Sequence, residues 1–313
     1  MKYTLKRFLA LIITLFTVSL LTFLAFQIIP GDPTTKMLGT EATPEAVAAL
    51  RSQLGLDKPV LERYLHWLGG VLRGDFGASY NYHMPVWDML SDKLPLTGIL
   101  TLLSFLFTVI LSIPLGLLAG SVRNRALDNL FAALDQVVMS VPPFFTGMIA
   151  CYVFGIVLRV FTPGAFVSYT QDWGKCIAYM VFPALSIALP RVAMTVKLLR
   201  GAIKSELEKD YVRTVCSRGG SRRYILLHHA LQNALIPVIT FMAVSLAEIM
   251  TAGIIIEQVF TIPGIGRLLM ASINNRDFPV VQAIVVILAA WIVLVNFAAD
   301  MLYQLADPRV RLR

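Results

Sequence analysis

The stretch GILTLLSFLFTVILSIPLGLLAG, Gly98–Gly120, contains no charged residue and is long enough to cross a membrane as one helix. A bilayer core about 30 Å thick requires roughly 20 predominantly apolar residues in helical form. A strand of a membrane β-barrel would be about 10 residues long and would alternate between apolar and polar side chains. This stretch does neither, so it predicts a transmembrane helix.

Five further stretches are also long and predominantly apolar, and together the six predict an all-α, polytopic membrane protein with six transmembrane helices. The 313 residues are 57% hydrophobic and 15% charged, whereas a soluble domain has about 25% charged residues. This composition excludes a disordered chain and an ordinary soluble globule. The predicted spans are Phe8–Ile29, Gly98–Gly120, Val137–Leu158, Ile177–Leu199, Ala234–Ile256 and Val280–Leu302.

The first span follows Lys2, Lys6 and Arg7, as the apolar core of a signal peptide would. Its apolar run is longer than such a core and no small-x-small cleavage site follows it, so we expect an uncleaved helix.

The chain has 3 cysteines and 4 histidines. The cysteines are scattered and odd in number, and the histidines lack the spacing of zinc ligands, so we expect neither a disulfide framework nor a metal site.

Lysine and arginine residues concentrate in segments that would share one side of the membrane. They cluster at the N-terminus, between spans 2 and 3, between spans 4 and 5, and at the C-terminus. Because cytoplasmic segments are enriched in these residues, the net charge of +8 indicates cytoplasmic loops rather than a nucleic-acid partner. Both termini are therefore predicted to be cytoplasmic, with loops 30–95, 159–176 and 257–279 facing outward.

The chain is predicted to have four parts. These are a first helix at 1–29, an outer loop region with short helices at 30–95, a core of spans 2–6 at 96–304 and a cytoplasmic tail at 305–313.

The outer loop contains helix signals of its own. Thr43 is a suitable N-cap for a helix that begins at Pro44 and stops at Gly55. A second short helix is predicted over Pro59–Leu72. The side chains expected to share one face of this helix are Leu61, Tyr64, Leu65 and Leu68. Two interpretations fit the loop equally well, a docking platform for an external partner and a cap packed over the helices.

The inner loop 200–232 carries the strongest local signals. A helix that ends near Arg218 is stopped by Gly219 and Gly220, and Ser221 is placed to cap a new helix that leads into span 5. A solvated loop that only sets topology needs positive charge, but it needs neither paired glycines nor a fresh cap. We therefore favour an elbow that docks onto a cytoplasmic partner. The residues expected on its apolar side are Tyr211, Val212, Thr214 and Val215.

This elbow resembles the "EAA" signature of permease subunits of ATP-binding-cassette (ABC) importers, most closely the B-type subunits of the oligopeptide, dipeptide and nickel branch. The resemblance rests on Asp210-Tyr-Val-Arg-Thr214, on Gly219 and on Asn233-Ala-Leu-Ile-Pro237. Gly220 departs from the branch, which usually has Leu there. Further matches follow in order along the chain: Pro30-Gly-Asp-Pro33, Leu54-Gly-Leu-Asp57, Gly74-Asp-Phe-Gly77, Ile113-Pro-Leu-Gly116, Pro263-Gly-Ile-Gly266, Asn275–Gln282 and Asp307–Arg311.

The resemblance implies a type I ABC importer permease of the bacterial inner membrane. The chain would pair with a second, similar permease above two cytoplasmic ATPases, and an extracytoplasmic solute-binding protein would deliver the substrate. ATP and Mg would bind to the ATPases, and this chain would hold no cofactor. The loop Arg123–Asp128 would be a second ATPase contact. The elbow would be the coupling helix, and its residues would be Glu208, Asp210, Tyr211, Val212, Arg213, Thr214, Val215, Gly219 and Gly220.

Charged residues inside the spans are costly and therefore need a reason. Glu248 lies deep in span 5 and Arg191 in span 4. Two interpretations remain open for them, a place on the translocation pathway and an ion pair with each other or with the partner permease. Asp300 and Lys197 lie nearer span ends, where we expect structural roles.

The sequence contains no catalytic constellation. It lacks a GxxxxGK[ST] phosphate loop, so we expect a subunit that does not itself hydrolyse ATP. Di- and oligopeptides are the favoured substrates, and nickel or a metal chelate is the alternative. A secondary transporter would more often show inverted repeats and buried ion-coordinating residues, and a membrane enzyme would need clustered His, Asp or Glu near one membrane face. Neither pattern is present.

Overall fold

The computed structural model describes residues 2–28 and 43–306, together with the single positions 34 and 38. The motif at 30–33 and the terminal motif at 307–311 lie outside these residues. The described residues form helices, with an isolated antiparallel bridge between Ala78 and Pro85. This agrees with the predicted all-α class.

Thirteen α-helices account for most of the described chain. They are α1 Lys2–Ile28, α2 Pro44–Gln53, α3 Val60–Val71, α4 Val86–Ser91, α5 Leu94–Ser121, α6 Arg125–Ser140, α7 Pro143–Ala150, α8 Trp173–Leu207, α9 Asp210–Ser217, α10 Arg222–Ile225, α11 Leu231–Val259, α12 Ile265–Asn275 and α13 Phe278–Ala306. Wider π-helical turns continue α7 over Cys151–Val157 and join α10 to α11 over Leu226–Ala230.

Five of the predicted spans are single apolar helices of sufficient length, and the third is not. In its place, α6 is followed by α7 and the π-helical turn that continues α7. The axis of α6 and the axis of this second helix differ by 91°. Pro143 starts α7, and Val141, which precedes Pro142, has extended backbone angles of φ −88° and ψ 121°. A residue before proline is disfavoured in helical conformation, so the two prolines break the predicted helix Val137–Leu158. The third predicted span is therefore bent, and the prediction of six spans holds if the bent pair is counted as one span.

The chain forms two compact units, of which the first comprises residues 1–96 and 263–297. Here α2 begins and ends as predicted, with Thr43 accepting a hydrogen bond from the amide of Ala46 and Gly55 at φ +65°. In α3 the buried side chain is Tyr64, whose hydroxyl lies 2.9 Å from Ser19 Oγ of α1. Leu61 and Leu65, which were predicted on the same face as Tyr64, are exposed.

In the first unit, Asp277 joins the Asn275–Gln282 motif to the segment that follows the Gly74-Asp-Phe-Gly77 motif. Its buried carboxylate accepts hydrogen bonds from the Ser79 hydroxyl and from the amide of Tyr80, the latter at 3.0 Å. Arg276, just before it, ends α12 in the left-handed conformation with φ +55°. Asp277 therefore fixes the segment that precedes α4 against the start of α13.

The second unit comprises residues 97–262 and 298–313, and its core is the packing of α5, α8 and α11. Leu199 and Ile203 of α8 are fully buried with Ala234, Val238 and Met242 of α11. Gly116 and Gly120 allow α5 to approach α8 closely. A Cβ atom at Gly116 would lie 2.7 Å from a Leu199 methyl group, and one at Gly120 would lie 2.9 Å from Ile203 Cβ. This packing fixes the helix that leads into the elbow.

Candidate functional site

The elbow begins where α8 ends. Glu208 follows the last turn of α8, and Lys209 adopts an extended conformation with φ −72° and ψ 153°, which turns the chain into α9. Asp210 occupies the first turn of α9, where a negative charge interacts favourably with the helix dipole. The predicted elbow helix is confirmed over Asp210–Ser217, somewhat shorter than the expected Glu208–Gly219.

The two glycines that end α9 have different physical tasks. Gly219 has φ +82°, and a Cβ atom there would have no neighbour within 4 Å, so glycine is needed for its backbone conformation. Gly220 is needed for space, because a Cβ atom there would lie 2.8 Å from Val215 Cγ1 and 3.0 Å from the Val215 carbonyl oxygen. The leucine that the related branch usually has at this position would not fit this turn. Ser221 then caps α10 by accepting the amide of Tyr224.

The side chains of α9 divide into an inner and an outer face. Val212 is buried and Tyr211 and Val215 are half-buried, whereas Arg213 and Thr214 are exposed. The apolar side predicted from the sequence therefore packs largely against the chain itself, and Thr214 does not belong to it. The outer face of the elbow is polar.

Tyr211 ties the elbow to both neighbouring helices. Its hydroxyl donates to Glu206 Oε2 at 2.7 Å and accepts from Asn233 Nδ2 at 3.2 Å. Burial, together with the Glu206 carboxylate, raises the pKa of Tyr211 above its ordinary value of 10.0. The hydroxyl therefore keeps the proton that it donates to Glu206. This contact connects two parts of the predicted signature, the Asp210-Tyr211 pair and Asn233.

A second set of contacts, which we call the clamp, joins the first turn of α6 to the C-terminal part of α8. Asp128 accepts from Lys204 Nζ at 2.5 Å, and Arg200 Nη1 lies 3.4 Å from the same carboxylate and 2.9 Å from the Asp128 carbonyl oxygen. On the other side of the elbow Arg222 donates to the Ser121 carbonyl oxygen at 2.5 Å. The predicted second partner contact, Arg123–Asp128, is thus attached to α8 through Asp128, and the end of α5 just before it is attached to the start of α10.

Sequence analysis did not identify the clamp as an interaction. The available signal was the spacing of Arg200 and Lys204, which places both cations on one face of α8. The carboxylate that they share comes from a distant part of the chain, and only the fold brings it close.

Arg191 of α8 and Glu248 of α11 form an ion pair through Nη1 and Oε2. This was one of the two interpretations left open by the sequence. The Arg191 side chain is 25% exposed and that of Glu248 is 50% exposed, so the carboxylate stays accessible while paired. We refer to this contact as the mid-membrane pair.

Two cavities lie along the same side of α8. A cavity of about 310 Å³ is lined by Arg191 and Met194 with residues of α6 and α7, including Ser140. A second cavity of about 580 Å³ shares Met139 and Met194 with the first. Its lining continues along α8 through Lys197, Leu198, Gly201, Ala202 and Ser205.

Two protein-family models match the chain, one over its C-terminal two thirds and one over its N-terminal third. Residues 112–312 match the family model described as the binding-protein-dependent transport system inner membrane component. Residues 1–101 match the N-terminal model of the same transport systems. The chain is an ABC importer permease. Its fold is accordingly the type I importer permease fold, and it is a multi-pass membrane protein.

Similar proteins share the full length of this permease. The probable peptide ABC transporter permease protein y4tP of Sinorhizobium fredii (strain NBRC 101917 / NGR234) is 34% identical over 309 residues, 99% of each chain. The glutathione transport system permease protein GsiC of Escherichia coli (strain K12) is 34% identical over 312 residues, again 99% of each. GsiC of Shigella flexneri serotype 5b (strain 8401) has the same identity and coverage. These relatives support the predicted peptide-type branch.

Proposed function

We propose that this permease forms half of the translocation pathway of an ATP-driven peptide importer, and that α9 receives the motion of a cytoplasmic ATPase. The observation that carries the proposal is the construction of the elbow. It is a short helix with a polar outer face, is held by Tyr211 and flanked by the clamp, and ends at a glycine with φ +82°. A rigid lever that pivots at one end requires these properties.

The permease works with other subunits in this proposal. An importer permease of this family acts with an ATPase and a substrate-binding protein. We infer two ATPases, which bind ATP and Mg, and a second homologous permease that completes the pathway. The basic segments of the sequence favour cytoplasmic termini and a cytoplasmic elbow in the bacterial inner membrane. The chain itself contributes no catalytic residue.

Transport follows from a shift between two states of one assembly. ATP binding closes the ATPases, and the elbow passes this movement to α8 and α11, which flank it in the sequence. Because ATP and substrate each favour different states, the energy of nucleotide binding is linked to substrate movement. The relatives named for peptide and for glutathione, itself a peptide, support peptides as the substrate class.

The backbone of the elbow gives a sharp test of coupling. A Cβ atom at Gly219 has open space around it, so substitutions there act only through the positive φ. We expect Gly219→Val to abolish substrate-stimulated ATP hydrolysis in the reconstituted transporter, because a β-branched residue is strained there. Gly219→Asn should keep more than half of it, since Asn tolerates this conformation. Membrane insertion of both variants, measured by quantitative blotting, should be normal.

The outer face supplies a companion test. The Asp210 side chain is 96% exposed, so Asp210→Ala should leave folding unchanged and lower ATPase stimulation by losing a partner contact. Full coupling in both Gly219→Val and Asp210→Ala would refute the lever. Peptide uptake into proteoliposomes without ATPases or ATP would instead indicate a secondary transporter.

A further inference from the structure

The mid-membrane pair lies far from the ends of its helices. Arg191 is roughly 25 Å from each end of α8 at 1.5 Å per residue, and Glu248 lies well inside α11. Charged groups at this depth are costly beside lipid, so they face a bundle interior or a water-filled cavity. The pair therefore belongs to a protein-lined or aqueous space.

The pair is also open to a third group. Glu248 remains half exposed, and Arg191 borders the 310 Å³ cavity. A guanidinium carries five N–H donors and a carboxylate two acceptor oxygens. Contact through one Nη1 and one Oε2 thus leaves donors on the cation and an oxygen on the anion for a ligand.

The exposed side of α8 extends from the pair in one direction. Arg191, Met194, Leu198, Gly201 and Ser205 follow at intervals of three or four residues and border the two cavities. Such spacing places them on one helix face. The methionine side chains are flexible and fill irregular spaces, which suits ligands of variable shape. The stripe leads from the pair toward the end of α8 that adjoins the elbow.

We propose that the mid-membrane pair is a substrate-binding site for zwitterionic peptides. Arg191 binds the C-terminal carboxylate and Glu248 binds the N-terminal ammonium group, so that the ligand replaces their contact with each other. Each charge keeps an opposite partner throughout, which avoids the cost of an unpaired ion at this depth. When the peptide leaves along the α8 stripe, the pair closes again. This inference rests on the proposed peptide-import function and names the residues that recognise the substrate.

The test compares single and double neutral variants of the complete transporter, reconstituted with its binding protein in proteoliposomes. The variants are Arg191→Gln, Glu248→Gln and the combination of both, and the probe is radiolabelled alanyl-alanine. A purely structural pair predicts recovery in the double variant, because it leaves no unpaired charge. A binding site predicts that the double variant is no better than the singles. We expect its uptake to be at least about tenfold below wild type, mainly through a raised KM.

A second measurement keeps the pair intact. In a background without the native cysteines, a thiol introduced by Met194→Cys lies one turn from Arg191. We expect saturating alanyl-alanine, supplied on the binding protein with ATP, to slow its modification by a small thiol reagent severalfold. Recovery of transport in the double variant, or unchanged thiol modification during transport, would overturn the proposal. If the wild-type assembly takes up no peptide at all, the proposed function itself fails.

Discussion

Helix α8 carries two ion-pair sites that differ in construction. At the clamp, the Asp128 carboxylate faces two cations, and Arg200 also donates to the Asp128 backbone carbonyl. At the mid-membrane pair, Arg191 and Glu248 meet through one atom of each charged group. The clamp has three contacts, whereas the mid-membrane pair has one.

Exposure follows the same division. The Asp128 carboxylate side chain is 28% exposed at the clamp, whereas that of Glu248 is 50% exposed at the mid-membrane pair. A contact made by several hydrogen bonds and partly shielded from solvent keeps two segments together during a conformational change. A contact that is singly bonded and open exchanges partners easily. The comparison therefore supports the proposed ligand exchange at the mid-membrane pair and favours mechanical transmission at the clamp.

Both sites depend on the placement of α8 against α5, and the largest effect should come from disturbing it. Gly120 is buried, and a Cβ atom there would lie 2.9 Å from Cβ of the fully buried Ile203. Neither atom is the flexible end of a side chain, so Gly120→Leu must displace the helices. We expect a loss of about 3 kcal/mol, at the upper end for overpacked cores, seen as a lower apparent melting temperature in detergent.

The matched control for this substitution lies on α8 itself. Gly201 has nothing within 4 Å of a Cβ position, and alanine is a better helix former than glycine. Gly201→Ala should therefore melt at the wild-type temperature or slightly above it. Equal melting of Gly120→Leu and wild type would show that the close approach of α5 is not required.

The clamp should produce the next largest effect. Asp128→Asn removes the negative charge from Lys204 and Arg200, and hydrogen bonds to charged groups contribute about 1.5–3 kcal/mol. We expect destabilisation at the lower end of this range, because Lys204 is 37% and Asp128 28% exposed and solvent screens the pair. We also expect a reduced yield of transport per ATP hydrolysed. A double-mutant cycle with Lys204→Met isolates the pair. Additive effects of the two substitutions would contradict a direct Asp128–Lys204 interaction.

Local sequence signals predicted the elbow well because its geometry is locally determined. The glycine stop, the Ser221 cap and the polar outer positions all act within one or two helical turns. The same holds for α2, whose Thr43 cap and Gly55 stop are both observed. Hydropathy located the third span but not its bend, which follows from the conformational restriction that Pro142 and Pro143 impose.

The ion-pair sites were less predictable because they join distant segments. Asp128 and Lys204 are separated by most of α6 and α8, and no local pattern relates them. For Arg191 and Glu248 the cost of buried charge indicated a reason for both residues but left their partner open. Gly220 departed from its branch without explanation until the position of Val215 showed that no side chain fits there.

The smallest expected loss of stability comes from removing the Tyr211 hydroxyl, which bonds the elbow to its neighbouring helices. Tyr211→Phe removes the bonds to Glu206 and Asn233, but Glu206 keeps Lys209 at 2.5 Å and Asn233 keeps the His229 carbonyl oxygen at 3.3 Å. Because these groups stay bonded, we expect a loss of about 0.5–1.5 kcal/mol in a thermal or chemical unfolding measurement. A larger loss would mean that the elbow depends on this one hydroxyl.

The pH dependence of this difference tests its cause. Burial raises the pKa of Tyr211 in the folded state above 10.0, so the folded chain holds this proton more tightly than the unfolded chain. The contribution is fully present below pH 10 and declines as the pH rises above it, because the unfolded tyrosine then ionises first. The stability difference between wild type and Tyr211→Phe should therefore be constant at neutral pH and shrink in alkali. A difference that grows in alkali would mean that the folded state favours the phenolate, and the hydroxyl would then not be the donor to Glu206.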